Sequence, residues 1–190
     1  MVHLRDVVMR LPSGSGPVTI LDGVTLAVPV GQFLAVTGPS GSGKSTLLGL
    51  IAGLDRPTSG SIAVDGRELS SLDEDALARL RRDTIGYVFQ SFHLIPTLTA
   101  LENVAVPLEL AGAADPAGQA ATLLADEPTG NLDSATGAQI IDLLVAWNRK
   151  RRGTLVMVTH DPALACHADR VVELRDGRVA SDRLNGSGPH

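Results

Sequence analysis

Four short apolar runs, bounded by Gly, Pro and Asp, occupy the first third of the chain. They span 2–9, 18–30, 33–37 and 61–64, and the last is closed by Asp65-Gly66. Apolar runs of this length between turn residues predict β-strands. We therefore expect the chain to begin with a group of strands.

The middle of the chain changes from strand to helix patterns and back. A polar stretch with helical period covers 73–82, an apolar run covers 85–89, and a second helical pattern covers 99–110. Residues 112–119 read GAADPAGQ and have no periodicity, which predicts a loop. The apolar run 120–125 after this loop predicts a buried strand.

The last third alternates helix and strand. A helix is predicted over 135–152, a buried strand over 154–159, and a hairpin of strands 171–174 and 178–181 that turns at Asp176-Gly177. We expect residues 185–190 to form a frayed tail. Alternating strands and helices predict an α/β fold with a mainly parallel sheet flanked by helices, in one domain over 1–184.

Length and composition narrow the possible functions. The chain has 190 residues, 44% hydrophobic and 19% charged, which is typical of one globular domain. The net charge of -5 and only five aromatic residues argue against nucleic-acid binding. No run approaches the roughly 20 apolar residues of a membrane span. The single Cys166 and the charged start MVHLRDVVMR favour the cytosol, with attachment to a membrane partner left open.

A complete phosphate-binding motif follows the third predicted strand. Its residues are Gly38, Pro39, Ser40, Gly41, Ser42, Gly43, Lys44 and Ser45, with Thr46 beside them. They fit G-x-x-x-x-G-K-[ST] between a strand and a helix. The glycines let backbone N–H groups face phosphate oxygens at the helix N-terminus. Lys44 would contact the β and γ phosphates and Ser45 would contact Mg²⁺, whereas a simple Gly/Ser-rich turn needs neither side chain.

Two carboxylates and one imidazole end other buried strands. Asp126 and Glu127 follow the apolar run 120–125, and His160 follows the strand at 154–159. Acidic residues at a strand end are more often solvated or helix-capping, and a single His is more often structural. Open α/β sheets, however, bind ligands at the carboxyl edge. We therefore predict that Asp126 binds Mg²⁺, Glu127 polarises the attacking water, and His160 contacts the γ phosphate.

Three segments in this order resemble the nucleotide-binding domain of ABC transporters: 38–45, LLADEPTGNLD (123–133) and VTHD (158–161). YVFQSFHLIPTLTALENV (87–104) is similar to the ATPase subunits of lipoprotein-releasing and macrolide-export type systems. The resemblance covers about 2–178. It implies a P-loop NTPase core with an N-terminal antiparallel β subdomain, ATP and Mg²⁺ as cofactors, and ATP hydrolysis coupled to transport.

The resemblance also assigns residues and partners. Gln90 matches the glutamine that contacts the metal and relays to the membrane subunit, and Asn131 to Asp133 match a loop at the dimer interface. Glu127 matches the catalytic glutamate and His160 the γ-phosphate switch. The implied partners are an integral membrane permease and a second ATP-binding domain, identical or different. The implied location is the inner face of the plasma membrane, peripheral, through the permease and without direct insertion.

The sequence departs from the family pattern in two places. No aromatic residue precedes Phe33, and the stretch near Leu11 that corresponds to the family's adenine-stacking ring has none, so base stacking is weaker or is replaced by aliphatic contact. The chain also has no Ser-Gly-Gly, so the helical subdomain with its signature motif is truncated near 112–121. The eight loop residues there reach about 26–29 Å when extended, enough for a direct return to the core.

Two hypotheses follow from the motifs and the truncation. The first is a transporter ATPase subunit. The alternative is a hydrolysis-deficient ATP-binding regulatory or vestigial module, because each lost donor to the γ phosphate removes about 2.7–4 kcal/mol of transition-state stabilisation. A soluble P-loop kinase does not account for Gln90, the NLD segment and His160 together. Nothing in the sequence specifies the transported cargo or its direction.

Overall fold

An antiparallel sheet forms the N-terminal layer of the computed structural model, which describes residues 2–14, 16–89, 121–130 and 132–185. Its strands are β1 (Val2–Leu11), β2 (Val18–Val28), β4 (Ser59–Val64) and β5 (Arg67–Glu68), in the order β2-β1-β4-β5. β1 pairs antiparallel with both β2 and β4. Buried and exposed positions largely alternate along β1 and β2, as expected of a sheet that turns one face toward the core.

A second, mainly parallel sheet carries the polar strand ends. Its strands are β3 (Phe33–Thr37), β6 (Ile85–Val88), β7 (Thr122–Asp126), β8 (Thr154–Val158), β9 (Arg170–Arg175) and β10 (Arg178–Leu184), in the order β10-β9-β3-β8-β7-β6. Within this sheet, all described strand pairings are parallel except that of β10 with β9. The carboxyl ends of β3, β7 and β8 therefore lie side by side at one edge.

Helices cover the parallel sheet. They are α1 (Lys44–Ile51), α2 (Glu74–Thr84), α3 (Ser134–Arg151) and the short α4 (Pro162–Ala165), with a 3₁₀ turn at Leu69–Ser71. Aspartates at the N-caps of α2, α3 and α4 accept backbone N–H groups of the first turn: Asp73, Asp133 and Asp161. Three basic residues end α3, where they complement the negative end of the helix dipole.

The core has two halves, one on each face of the parallel sheet. In β3, Leu34 and Val36 pack into the half shared with α1 and the antiparallel sheet, whereas Phe33 and Ala35 pack into the half shared with α3. This alternation explains why β3 is apolar at its first four positions: both faces of the strand are buried there. The central strand that leads into the phosphate motif is therefore held rigidly from both sides.

The α/β fold with a mainly parallel sheet is confirmed, and most predicted strands and helices are present within two residues of their expected limits. The sequence patterns missed β5, the 3₁₀ turn and α4, each four residues or fewer. Asn185, assigned to the frayed tail, is anchored instead: its Nδ2 donates to the carbonyl oxygens of Ala165 (3.1 Å) and Ala168 (2.9 Å). The predicted helix 99–110, the loop 112–119 and residues 186–190 lie outside the described residues.

Candidate functional site

The phosphate motif forms a curled loop between β3 and α1. Gly38, Gly41 and Gly43 have φ values of 139°, 79° and 96°, in the region that favours glycine. Gly43 is the N-cap of α1, and no side chain caps that helix end. The first-turn N–H groups of α1 are therefore directed at the cavity in front of the loop, as anion binding requires.

Lys44 is buried beneath this loop and is held by its backbone. Its Nζ donates to the carbonyl oxygens of Gly38 (2.9 Å) and Pro39 (2.8 Å), and the residue is 7% exposed. A buried ammonium group requires such partners, because desolvation without hydrogen bonds is costly. The Lys44 side chain thus stays close to the loop, where an incoming phosphate is an additional acceptor.

Ser45 and Asp126 meet across the site although they are 81 residues apart. The Ser45 hydroxyl donates to Asp126 Oδ1 at 3.1 Å. Burial raises the pKa of the Asp126 carboxyl, an effect that the Ser45 hydrogen bond opposes and the nearby Glu127 charge adds to. Burial also raises the pKa of Tyr87 to about 12, and the Asp126 charge acts in the same direction. The Lys44 charge lowers the Asp126 pKa but does not outweigh burial, so a divalent cation beside the carboxylate would remove much of the remaining desolvation penalty.

The hydroxyl of Ser45 and the carboxylate of Asp126 suit Mg²⁺, which prefers oxygen ligands and usually keeps several waters or phosphate oxygens. Among the described residues, this site included, no group of three or more His, Cys, Asp and Glu side chains is placed to hold a metal ion by itself. The residues present thus fit a cation that is bound jointly by protein and phosphate.

Glu127 and His160 are paired at the same edge. Glu127 Oε1 lies 3.2 Å from His160 Nδ1. Glu127 has a φ of 43°, a left-handed conformation that is uncommon for a non-glycine residue, and its N–H donates to the Val158 carbonyl at 3.0 Å. Strained backbone of this kind concentrates at functional sites, because the surrounding structure must hold it in place.

One cavity of about 520 Å³ joins these groups, except that Asp126 lies behind its lining and reaches it through Ser45. It is lined by Ile20, Ser40, Gly41, Gly43, Lys44, Ser45, Thr46, Glu127 and His160. A second cavity of about 400 Å³ lies against Glu127 and His160 and extends to Asp133. The structure therefore brings the phosphate loop and the strand-end residues to one place, as the sequence predicts. Ile20 also lines this cavity, although it is not among the residues predicted from the sequence. It lies on β2, far from any motif, and no sequence signal marks it.

Some predicted residues do not line this cavity. Gly38 and Pro39 form the start of the loop and bind Lys44 through their carbonyls. Ser42 is buried, and its hydroxyl has no hydrogen-bond partner within the described structure. Gln90 and Asn131 lie outside the described residues, so their predicted roles stay predictions. Asp133 caps α3, with Oδ1 accepting from Ala135 N and Thr136 N.

No helix among the described residues combines the length and the apolar character that a bilayer span requires.

Two curated relatives are similar to this chain over nearly its whole length. The macrolide export ATP-binding/permease protein MacB 1/2 of Paracoccus denitrificans (strain Pd 1222) is 40% identical over 227 aligned positions, covering 98% of this chain and 34% of that protein. The lipoprotein-releasing system ATP-binding protein LolD of Anaeromyxobacter dehalogenans (strain 2CP-C) is 44% identical over 219 positions, covering 93% of this chain and 90% of LolD. The chain thus spans about a third of the length of its macrolide-export relatives.

Solved structures and a family model agree with these relatives. The dimeric structure of MJ0796, a bacterial ABC transporter cassette, superposes with a TM-score of 0.91 at 36% identity, covering 99% of this chain and 100% of that one. A dimeric post-hydrolysis state of the MJ0796 cassette bound to ADP and Pi gives a TM-score of 0.90 at 34% identity. The family model described as ABC transporter matches residues 21–152, more than half of the chain. The chain therefore belongs to the ABC transporter family, as an ATP-binding cassette.

Proposed function

We propose that this chain is the ATP-binding subunit of an ABC transporter, which binds Mg-ATP and couples its hydrolysis to transport through a separate membrane permease. One observation carries the proposal: Lys44, Ser45 and the Glu127–His160 pair line one cavity, and Ser45 is hydrogen bonded to Asp126 behind it. The cassette would lie on the cytoplasmic side of the membrane, peripherally, bound to the permease. The name of one relative, an ATP-binding/permease protein, supports the pairing of these two components.

Each group has a distinct task in this proposal. The N–H groups of the loop and of the first turn of α1 bind the phosphate chain, and Lys44 extends from its carbonyl partners to the β and γ phosphates. Ser45 and Asp126, with Gln90, would hold Mg²⁺, which supplies charge neutralisation between phosphate oxygens. Glu127 accepts a hydrogen bond from the attacking water and orients it, and His160 fixes the Glu127 carboxylate while facing the γ phosphate.

The extent of hydrolysis depends on a segment that this chain lacks. The alignment with MacB 1/2 has 227 positions against 190 residues here, so at least 37 positions of the relative have no counterpart. The sequence contains no Ser-Gly-Gly. These two facts support a single cassette domain over 1–184 whose helical arm is truncated near 112–121. We infer that the chain binds Mg-ATP well and, alone, hydrolyses it slowly.

A dimer with an intact cassette follows from the same reasoning. The MJ0796 cassette was solved as a dimer. If an intact partner supplied the missing donors, the phosphate loop of this chain and the partner's signature would form one complete site. A dimer of two copies of this chain would have none.

The first experiment measures Mg-ATP binding by isothermal titration calorimetry. Lys44→Ala is expected to weaken affinity at least tenfold, because a charge-assisted contact to phosphate is lost. Lys150→Ala is the matched control: Lys150 is the other lysine of the chain, is exposed in the last turn of α3, and should bind as the unaltered protein does. Equal binding by both variants would contradict the assignment of the site.

The second experiment measures phosphate release with Glu127→Gln as control. The chain alone should release phosphate at nearly the rate of the Glu127→Gln variant. Adding an intact cassette should raise the rate above that of the intact cassette by itself, and Glu127→Gln in this chain should remove the gain. Rapid hydrolysis by the chain alone that Glu127→Gln abolishes would show a fully competent ATPase and reject the hydrolysis-deficient alternative.

A further inference from the structure

The phosphate loop touches two elements that lie outside its motif. A Cβ atom built on Gly38 would lie 2.1 Å from the carbonyl oxygen of Leu174, at the end of β9. A Cβ atom on Gly43 would lie 2.8 Å from the carbonyl oxygen of Ile20 on β2. Each end of the loop therefore rests against a backbone carbonyl of another strand, and the loop keeps its shape only while both strands stay in place.

The turn between β9 and β10 contacts the same part of β2. The Asp22 N–H donates to the Gly177 carbonyl at 2.9 Å. A Cβ atom on Gly177 would lie 2.5 Å from the Ile20 carbonyl oxygen, which is the atom that approaches Gly43 from the other side. The hairpin of β9 and β10 thus contacts the loop directly through Leu174 and indirectly through Ile20.

An ion pair joins this hairpin to β2. The Nε and Nη2 atoms of Arg178 both donate to Asp22 Oδ2, at 3.0 and 2.6 Å. The two residues are 156 positions apart in the chain, so the contact exists only in the folded structure. The pair is next to the Asp22–Gly177 backbone bond and holds the turn against β2 from the solvent side. Neither Asp22 nor Arg178 lines the nucleotide cavity.

We propose that Asp22 and Arg178 are positioning residues for nucleotide binding: their ion pair holds the hairpin turn on β2, and β2 in turn holds the phosphate loop in its curled form. The proposal rests on the proposed ATP-binding function. Without the pair, the Ile20 carbonyl is less constrained, the loop samples other conformations, and only a fraction of the molecules presents its N–H groups correctly. The apparent affinity for phosphate equals the intrinsic affinity multiplied by that fraction.

The test compares Mg-ATP affinity in Arg178→Ala and Asp22→Asn with the unaltered full chain. Each variant should raise the Kd measurably, by up to about fivefold, which is the most that one exposed ion pair can contribute. The double variant Asp22→Arg with Arg178→Asp restores an ion pair and should return the Kd to within about twofold. Raising the salt concentration should narrow the difference between Arg178→Ala and the unaltered protein, because salt screens exposed pairs.

The same hairpin supplies a matched control. Arg175 pairs with Glu173 at 3.1 Å, and the two side chains are 64% and 35% exposed. Arg178 and Asp22 are similarly exposed, at 71% and 39%. That pair joins two residues of β9 and does not reach β2. Arg175→Ala should therefore leave the Kd unchanged. An equal loss of affinity in Arg175→Ala would show a general charge effect and overturn the proposal.

Hydrogen exchange of the nucleotide-free protein provides a readout that does not depend on ATP binding. The amides of Gly38 and of 40–43 should exchange faster in Arg178→Ala than in Arg175→Ala, by up to about fivefold. Unchanged exchange in this loop would overturn the positioning role, even if thermal stability falls. If the unaltered chain failed to bind Mg-ATP, the proposed function would be wrong, and the exchange measurement would still decide whether the pair positions the loop.

Discussion

Replacement of Gly38 by alanine tests the packing of the phosphate loop most directly. The added Cβ would lie 2.1 Å from the Leu174 carbonyl oxygen, well under the 3.0 Å that real Cβ atoms essentially always exceed. The Leu174 carbonyl belongs to the backbone of β9. Because β9 is paired with β3 on one side and β10 on the other, this carbonyl cannot move alone. The φ of 139° at Gly38 adds backbone strain for any other residue.

The magnitude follows from these two effects. Overpacking into a rigid neighbour costs about 1–3 kcal/mol, and a left-handed conformation of a non-glycine residue adds about 1–2 kcal/mol. Gly38→Ala should therefore lower the free energy of unfolding by about 2–5 kcal/mol. For a chain of this size that is a fall in Tm of about 4–20 °C. Mg-ATP binding should be lost together with the loop geometry.

Two other glycines in the same region serve as controls. Gly41 also has a positive φ, 79°, but a Cβ there meets nothing within 4 Å, so Gly41→Ala should cost only the backbone strain of about 1–2 kcal/mol. Gly49 lies inside α1 with only an ordinary contact of 3.5 Å to Asp55 Oδ2, so Gly49→Ala should gain about 0.5–1 kcal/mol. Urea unfolding of all three variants measures these differences. If Gly38→Ala is no less stable than Gly41→Ala, the close approach to β9 does not constrain the loop.

Three further predictions concern single side chains. Asp126→Asn should raise Tm in the absence of Mg-ATP, because burial raises the pKa of this carboxyl and so favours its uncharged form. The same variant should abolish the Mg²⁺ dependence of nucleotide binding in this thermal assay. A Tm that falls would refute the first part. Leu11→Tyr should tighten ATP binding at least fivefold, because base stacking contributes about 1–3 kcal/mol and Leu11 pairs with the exposed Val18, two residues before the cavity-lining Ile20. An unchanged Kd would place the base elsewhere. Hydrogen bonds from Thr136 lower the pKa of the Asp133 carboxyl in the folded protein. The carboxylate therefore stabilises the fold above its unfolded pKa, and this stabilisation is lost as pH falls through the lower folded pKa. The difference in Tm between Asp133→Ala and the unaltered protein should shrink over that acidic range and stay constant at neutral pH.

Most of the regular structure could be predicted from local patterns. β3 is apolar at every position but its last, and β8 is buried throughout, so the type and limits of both follow from residue character alone. The short elements could not be predicted, because β5 has two residues and α4 has four. Elements this short form only because neighbouring strands and caps hold them. Asn185 similarly gains its order from carbonyls of Ala165 and Ala168, which no local pattern reveals.

The sequence by itself determined the chemistry of this protein: a contiguous phosphate motif at 38–45 and polar residues at the ends of buried strands. Only the tertiary structure decided which distant groups meet, because such contacts depend on strand order. It places Ser45 3.1 Å from Asp126, brings Ile20 to the cavity, and joins Asp22 to Arg178. Local spacing specifies a loop that can bind phosphate, whereas its shape depends on carbonyls of β2 and β9 that fold against it from both ends of the chain.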